Sequence, residues 1–227
     1  MHLADLSWMD VERYLEHDRR IIAITGATEQ HAYLSLLTDI KVPHAIASVL
    51  AERSGVLVAP PLNFGCSAYF MEYPGTITLS EETFGRVLAE VVHSLAYHGF
   101  RGVLILNGHG GNQPPASLEA VEDEFPDLRW HWYEWWKGEA ARQIGEYVKH
   151  KPNHANWLEN FPFTRVGDVP RDVKPEPALN QLGPDASFRS ILGDGSYGGP
   201  YQMSEEIMAR LFDNVVAEAE GLLASLK

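Results

Sequence analysis

Ile21-Ile22-Ala23-Ile24-Thr25-Gly26-Ala27-Thr28-Glu29-Gln30-His31 is the stretch from which the fold is read. The apolar run that leads into Gly26 has the character of a strand buried on both faces in a parallel sheet. Glu29 and His31 then sit just past the C-terminal end of that strand, with Asp39 soon after. In open α/β sheets this is the end where ligands bind. An acid, an imidazole and a second acid packed closely can hold a divalent ion such as zinc or manganese. The same residues also occur as ordinary polar loop residues, so the rest of the chain has to decide.

Val103-Leu104-Ile105-Leu106 is the clearest second strand, and it runs into Asn107-Gly108-His109-Gly110-Gly111-Asn112. Three glycines around one histidine let the backbone turn tightly and approach a ligand. A histidine on such a turn is poorly placed for core packing and reads as a ligand or catalytic group. The segment is not a P-loop, because no Gly-Lys-Ser/Thr closes it. A third polar group lies in Lys151-Pro152-Asn153-His154-Ala155-Asn156-Trp157-Leu158-Glu159-Asn160. A bent segment there can send both His154 and Glu159 into one pocket.

Around these stretches, strands alternate with helices. Ser7 caps a helix expected over 8–18, with Trp8, Val11 and Leu15 as its apolar stripe. A second helix is expected to start near Pro43 and stop at Gly55. Val56-Leu57-Val58-Ala59 reads as a strand, 81–98 as a helix, Pro114-Pro115 to Glu124 as a helix and Leu128–Tyr133 as a strand. A short helix follows Gly138, and Ser204 starts a terminal helix carrying Ile207, Leu211, Val215 and Leu222. Residues 161–200, rich in Pro and Gly, read as an excursion over the surface, either a pocket lid or an oligomer contact. Four tryptophans at 130, 132, 135 and 136 suit core, subunit contact or pocket wall equally. Alternation of this kind predicts one α/β domain over 1–227 with a mostly parallel sheet.

With 227 residues the chain can bury a full core. A net charge of -13 argues against a nucleic-acid partner and against an anionic membrane surface. The acidic start, with Asp5, Asp10 and Glu12, does not read as a signal peptide, and no apolar run approaches membrane-spanning length. One cysteine, Cys66, leaves no internal disulfide and fits a reducing cytoplasm. It reads as a small half-buried residue more readily than as a nucleophile.

Three stretches taken together resemble the creatininase family of metal-dependent amidohydrolases. Glu29-Gln30-His31 with Thr38-Asp39, the Asn107–Asn112 turn, and Tyr73-Pro74-Gly75-Thr76 follow the family's motifs. The resemblance implies a layered α/β/α sandwich, a small-molecule substrate, a homohexamer and two divalent ions per chain, with Zn2+ first and Mn2+ or Fe2+ as alternatives. It implies that Glu29, Asp39 and His109 hold one ion. His31 and Asp39 would hold the other, with Asp39 shared. His154 would act in proton transfer, and Glu159 would complete the second set. Phe70, Gly110, Gly111 and Trp157 are then expected at the substrate.

The chain departs from the family pattern at several of these places. The namesake enzyme has a Glu where this chain has Gly111, which is why Glu159 is assigned the missing carboxylate. Many relatives have a His where Phe70 stands, and Asn156-Trp157 replaces Gly-Glu. Hydrolysis of a small cyclic amide or formamide is the expected activity. A lactone or cyclic keto-sugar hydrolase and a catalytically idle scaffold subunit remain as alternatives.

Overall fold

The computed structural model describes residues 1–178 and 187–227. Part of the 161–200 excursion, residues 179–186, therefore lies outside the described residues. The chain opens with helix α1 (Trp8–Leu15), strand β1 (Arg20–Thr25), α2 (Thr38–Ser54), β2 (Leu57–Val58) and α3 (Glu81–Tyr97). Next come β3 (Gly102–Asn107), α4 (Ser117–Glu124), β4 (Arg129–Glu134) and α5 (Glu139–Val148). The excursion carries β5 (Val173–Lys174), α6 (Phe188–Leu192) and β6 (Gly199–Pro200) before α7 (Glu205–Ala224) closes the chain.

Among the described residues the main sheet has four strands in the order β2-β1-β3-β4, all parallel. Strand side chains point alternately to the two faces. Ile22, Ile24, Leu104 and Leu106 pack with residues of α2, α5 and α7 on one face. Ile21, Ala23, Val103 and Ile105 pack with α3 and α4 on the other. Both faces are thus covered, which is why these strands are apolar throughout. Each fully buried Ile or Leu contributes about 1.5–3 kcal/mol over an exposed one.

Register places the site. Thr25 pairs with Asn107, so β1 and β3 end side by side. The turns after them, carrying Gly26 to His31 and Gly108 to Asn112, share one sheet edge.

Two helix expectations are corrected. α2 starts at Thr38 and contains Pro43. Thr38 hydroxyl and N–H both donate to Ser35 carbonyl, at 2.7 and 3.0 Å, and these bonds begin the helix ahead of the proline. Pro43 has no N–H, so the carbonyl of Asp39 loses its helical donor. Trp8 does not join an apolar stripe: it is 71% exposed, while Val11 and Leu15 pack on the core. The helix also ends early, at Leu15.

Candidate metal centre

Asp39 lies in the first turn of α2, where an acid is favoured by the helix dipole. Its backbone wedges between the two strand-end turns. A Cβ on Gly26 would fall 2.3 Å from Asp39 carbonyl oxygen, and one on Gly108 would fall 1.8 Å from it. Only glycine lets both turns close on α2. The asparagines of the β3 turn tie it down. Asn107 donates to His109 carbonyl at 2.7 Å, and Asn112 donates to Gly26 carbonyl while accepting from Cys66 N–H. The Tyr73–Thr76 loop braces the β1 turn, with Thr76 hydroxyl accepting Gln30 N–H at 3.2 Å.

Five buried side chains converge on this edge in two sets that share Asp39. Glu29, Asp39 and His109 form one, and His31, Asp39 and Glu159 form the other, while half-buried His154 joins Glu29 and His31 in a third. Asp39 Oδ2 is 2.9 Å from His109 Nδ1, and Oδ1 is 2.9 Å from His31 Nε2. Glu29 Oε1 lies 3.4 Å from His109 Nδ1, and Glu159 Oε2 lies 3.8 Å from His31 Nε2. Both imidazoles are anchored on the far nitrogen. His31 Nδ1 meets Glu29 carbonyl at 3.2 Å and His109 Nε2 meets Cys66 carbonyl at 3.0 Å. Those carbonyls can only accept, so each ring turns a lone pair inward, as metal-binding histidines do.

The set fits divalent cations. Glu29 Oε2, His31 Nε2 and Asp39 Oδ2 are buried without a hydrogen-bond partner among the described residues. Three buried carboxylates without a Lys or Arg partner are costly unless cations join them. Protons stand in when no cation does. Burial pulls His31 downward, but Asp39, Glu159 and Glu29 outweigh it and raise its pKa to about 10. Burial acts the same way on His109, where Glu29 and Asp39 win and hold it well above its ordinary value. Burial pushes Asp39 upward, and the two imidazoles override it to leave it well below the usual carboxylate range. Glu159 goes the other way: burial raises it to about 7 against the pull of His31.

Segment 151–161 bends as the sequence suggested. Ala155 takes a left-handed φ of 52°, and its N–H donates to Glu159 Oε2 at 2.6 Å. That bend brings His154 and Glu159 to one cavity of about 220 Å³. Arg165 bonds Asn160 and not Glu159. His154 stacks on Phe70 at 4.8 Å, and burial together with His31 drives its pKa well below the ordinary value. Both effects favour its neutral form. Phe70 and Gly110 line the cavity with Tyr69, Trp136 and Tyr197.

Two expected wall residues are elsewhere. Trp157 is fully buried in the core beneath the sheet, because its place in the tight 3-10 turn Trp157–Glu159 turns it inward. Gly111 lies behind His109, where a Cβ would meet Cys66 carbonyl at 2.2 Å. Trp135 is also core, packed on Phe161. Tyr69 and Tyr197 carried no signal in the sequence beyond their neighbourhood. The anchoring role of Cys66 belongs to its backbone, which no residue type announces.

The family model described as creatininase, creatinine amidohydrolase, matches residues 4–223. The chain belongs to the creatininase family. The creatinine amidohydrolase of Pseudomonas putida is 31% identical over 135 residues, 56% of this chain and 52% of the relative. A mycofactocin precursor peptide peptidase of Mycolicibacterium smegmatis is 32% identical over 119 residues, 48% of each. The 3-dehydro-scyllo-inosose hydrolase of Thermotoga maritima is 33% identical over 101 residues, 44% of this chain and 32% of the relative. The chain thus spans about half, or less, of the curated relatives it matches. A solved creatininase mutant described as Zn-Zn type superposes with a TM-score of 0.80 at 22% identity, covering 99% of this chain and 98% of the other. That likeness establishes the creatininase α/β fold. No described helix is long and apolar enough to cross a membrane.

Proposed function

We propose that this chain is a metal-dependent hydrolase that cleaves the C–N bond of a small amide. The observation that carries the reading is Asp39, whose two oxygens face two different imidazoles at 2.9 Å within two buried ligand sets. Glu29, Asp39 and His109 would hold one divalent ion, and His31, Asp39 and Glu159 the other. When bound, such a pair supplies an activated water and positive charge for a developing oxyanion. Mixed imidazole and carboxylate donors suit zinc, manganese or iron. Superposable creatininases are described as Zn-Zn type and as Mn, which supports zinc or manganese ahead of iron.

The protein's own residues do the rest. Carbonyls of Glu29 and Cys66 fix the two ligand imidazoles. Tyr69, Phe70, Trp136 and Tyr197 shape the cavity and limit water, with His154 over the ligand sets. At about 220 Å³ the cavity takes a small molecule or the end of a longer one. No Lys or Arg lines it among the described residues, which favours an uncharged substrate. The amidohydrolase and peptidase relatives favour an amide. The inosose hydrolase relative favours a second reading, a cyclic keto-polyol as substrate.

The test is a screen of metal-reloaded protein against cyclic amides, formamides, lactones and cyclic keto-polyols. Metal-dependent turnover of an amide is expected. Turnover of keto-polyols alone would favour the second reading, and failure to retain any metal would overturn both. We also infer a cytoplasmic homo-oligomer, a hexamer by family resemblance. Exposed Leu36, Phe64, Ile77 and Val166 give it apolar surface to bury. Light scattering showing a monomer at micromolar concentration would count against it.

A further inference from the structure

Gln30 lies between two ligands, Glu29 and His31, and belongs to neither ligand set. Its side chain is buried, and two backbone groups fix the direction of its amide. Ala32 N–H donates to Oε1 at 3.1 Å, and Nε2 donates to Gly195 carbonyl at 3.1 Å. Turned over, the amide would set donor against donor and acceptor against acceptor. Gly195 makes the second contact possible: its φ is 101°, and a Cβ there would fall 1.8 Å from Gln30 Oε1.

The remaining hydrogen on Gln30 Nε2 faces His154 Nε2 at 2.8 Å. A donor at that distance needs a lone pair on the ring nitrogen. A neutral imidazole then carries its proton on Nδ1. The ring is held against rotation by the Phe70 stack and by Tyr197, at 5.2 Å. Its Nδ1 points to the carboxylate edge of the cavity, 3.7 Å from Glu29 Oε1. That is too long for a hydrogen bond, so the Nδ1–H is left to a bound molecule.

We propose that Gln30 is a positioning residue that holds His154 in the Nδ1–H tautomer, so that His154 meets the substrate as a neutral hydrogen-bond donor and not as a general base. The word substrate rests on the hydrolase reading, whereas the tautomer does not. A neutral imidazole can polarise a carbonyl by donating to it. The substrate must then offer an acceptor, the oxygen or a bare nitrogen of an amide-like group, at Nδ1. It also follows that the 193–199 segment serves the site at second hand, through Gly195 and Gln30.

Long-range proton–nitrogen NMR spectra of zinc-loaded protein carrying 15N-histidine test this. Wild-type His154 is expected to show a protonated-type shift at Nδ1 and a bare-type shift at Nε2. Gln30→Met removes the donor and should let the Nε2–H form appear. Gln30→Glu places an acceptor against Nε2 and should draw a proton onto it. An Nε2–H tautomer in the wild type overturns the proposal even where neither variant folds. So does an unchanged Nδ1–H pattern in both variants. Neutron diffraction locates the ring deuterium directly and distinguishes the two tautomers where the NMR signals are too broad. A protein with this tautomer but no hydrolase activity would sink the functional reading and leave this one standing.

Discussion

Asp39 and Glu159 are both carboxylates at one site, but they are held differently. Asp39 is locked by α2 and by two glycine turns, whereas Glu159 hangs on a bend stabilised by its own bond to Ala155 N–H. Glu159→Gln keeps the size and removes the charge. The expected outcome is a folded variant that loses one ion far more readily than the other, by more than the roughly 10–100-fold that outer partners of a ligand cost. Elemental analysis after dialysis checks this. A variant retaining both ions with an unchanged profile would show that the carboxylate serves the turn alone. At this scale the clustering was legible: Glu29, His31, Asp39 and His109 all follow apolar strands, and the structure brings them to one sheet edge. Trp157 was misplaced because its neighbours His154 and Glu159 face the cavity. A 3-10 turn sends successive side chains to different sides, and sequence adjacency cannot show which.

Among the elements, the β1 and β3 turns and the start of α2 form one interlocked unit. Gly108→Ala puts a methyl 1.8 Å from Asp39 carbonyl oxygen, so α2 must shift. Overpacking of this kind costs about 3 kcal/mol, which lowers the melting temperature of a chain this size by roughly 6–12 °C. Calorimetry together with metal content checks it, since the displaced Asp39 should also bind ions more weakly. The strands were readable because burial on both faces leaves them apolar throughout. The start of α2 was not, since Pro43 resembles a first-turn proline. Its actual use, freeing the Asp39 carbonyl to sit between two glycines, is a tertiary fact.

A second unit is built on Lys174 of β5, whose ammonium bonds Asp194 and the carbonyls of Leu192 and Ser196. Burial raises the Asp194 pKa, but Lys174, Tyr201 and Ser196 N–H outweigh it and leave it depressed. A depressed carboxylate adds stability above its unfolded pKa of about 3.9, and that stability is lost as pH falls through the folded value. Melting temperature followed from pH 7 to 3 should therefore drop more steeply for wild type than for Asp194→Asn. Parallel curves would show that this pair does not contribute.

Taken whole, the molecule is a parallel sheet whose exposed edge carries buried negative charge, so its stability depends on what fills that edge. Saturating metal at about 100 times its dissociation constant adds about 2.7 kcal/mol per site, or roughly 5–11 °C in melting temperature. Chelation should remove that increment and reloading restore it. An unchanged transition would mean that no ion binds the folded state preferentially. The two ligand sets differ in reach along the chain. Glu29, Asp39 and His109 all stand on the β1, α2 and β3 frame, whereas the other set is incomplete without Glu159. Loading should consequently be sequential. A first equivalent finds a finished seat, and a second acts as a rivet drawing 151–161 down on the sheet. Amide hydrogen exchange at residues 153–160 should slow only between one and two equivalents, while the β1 and β3 turns are already protected after the first.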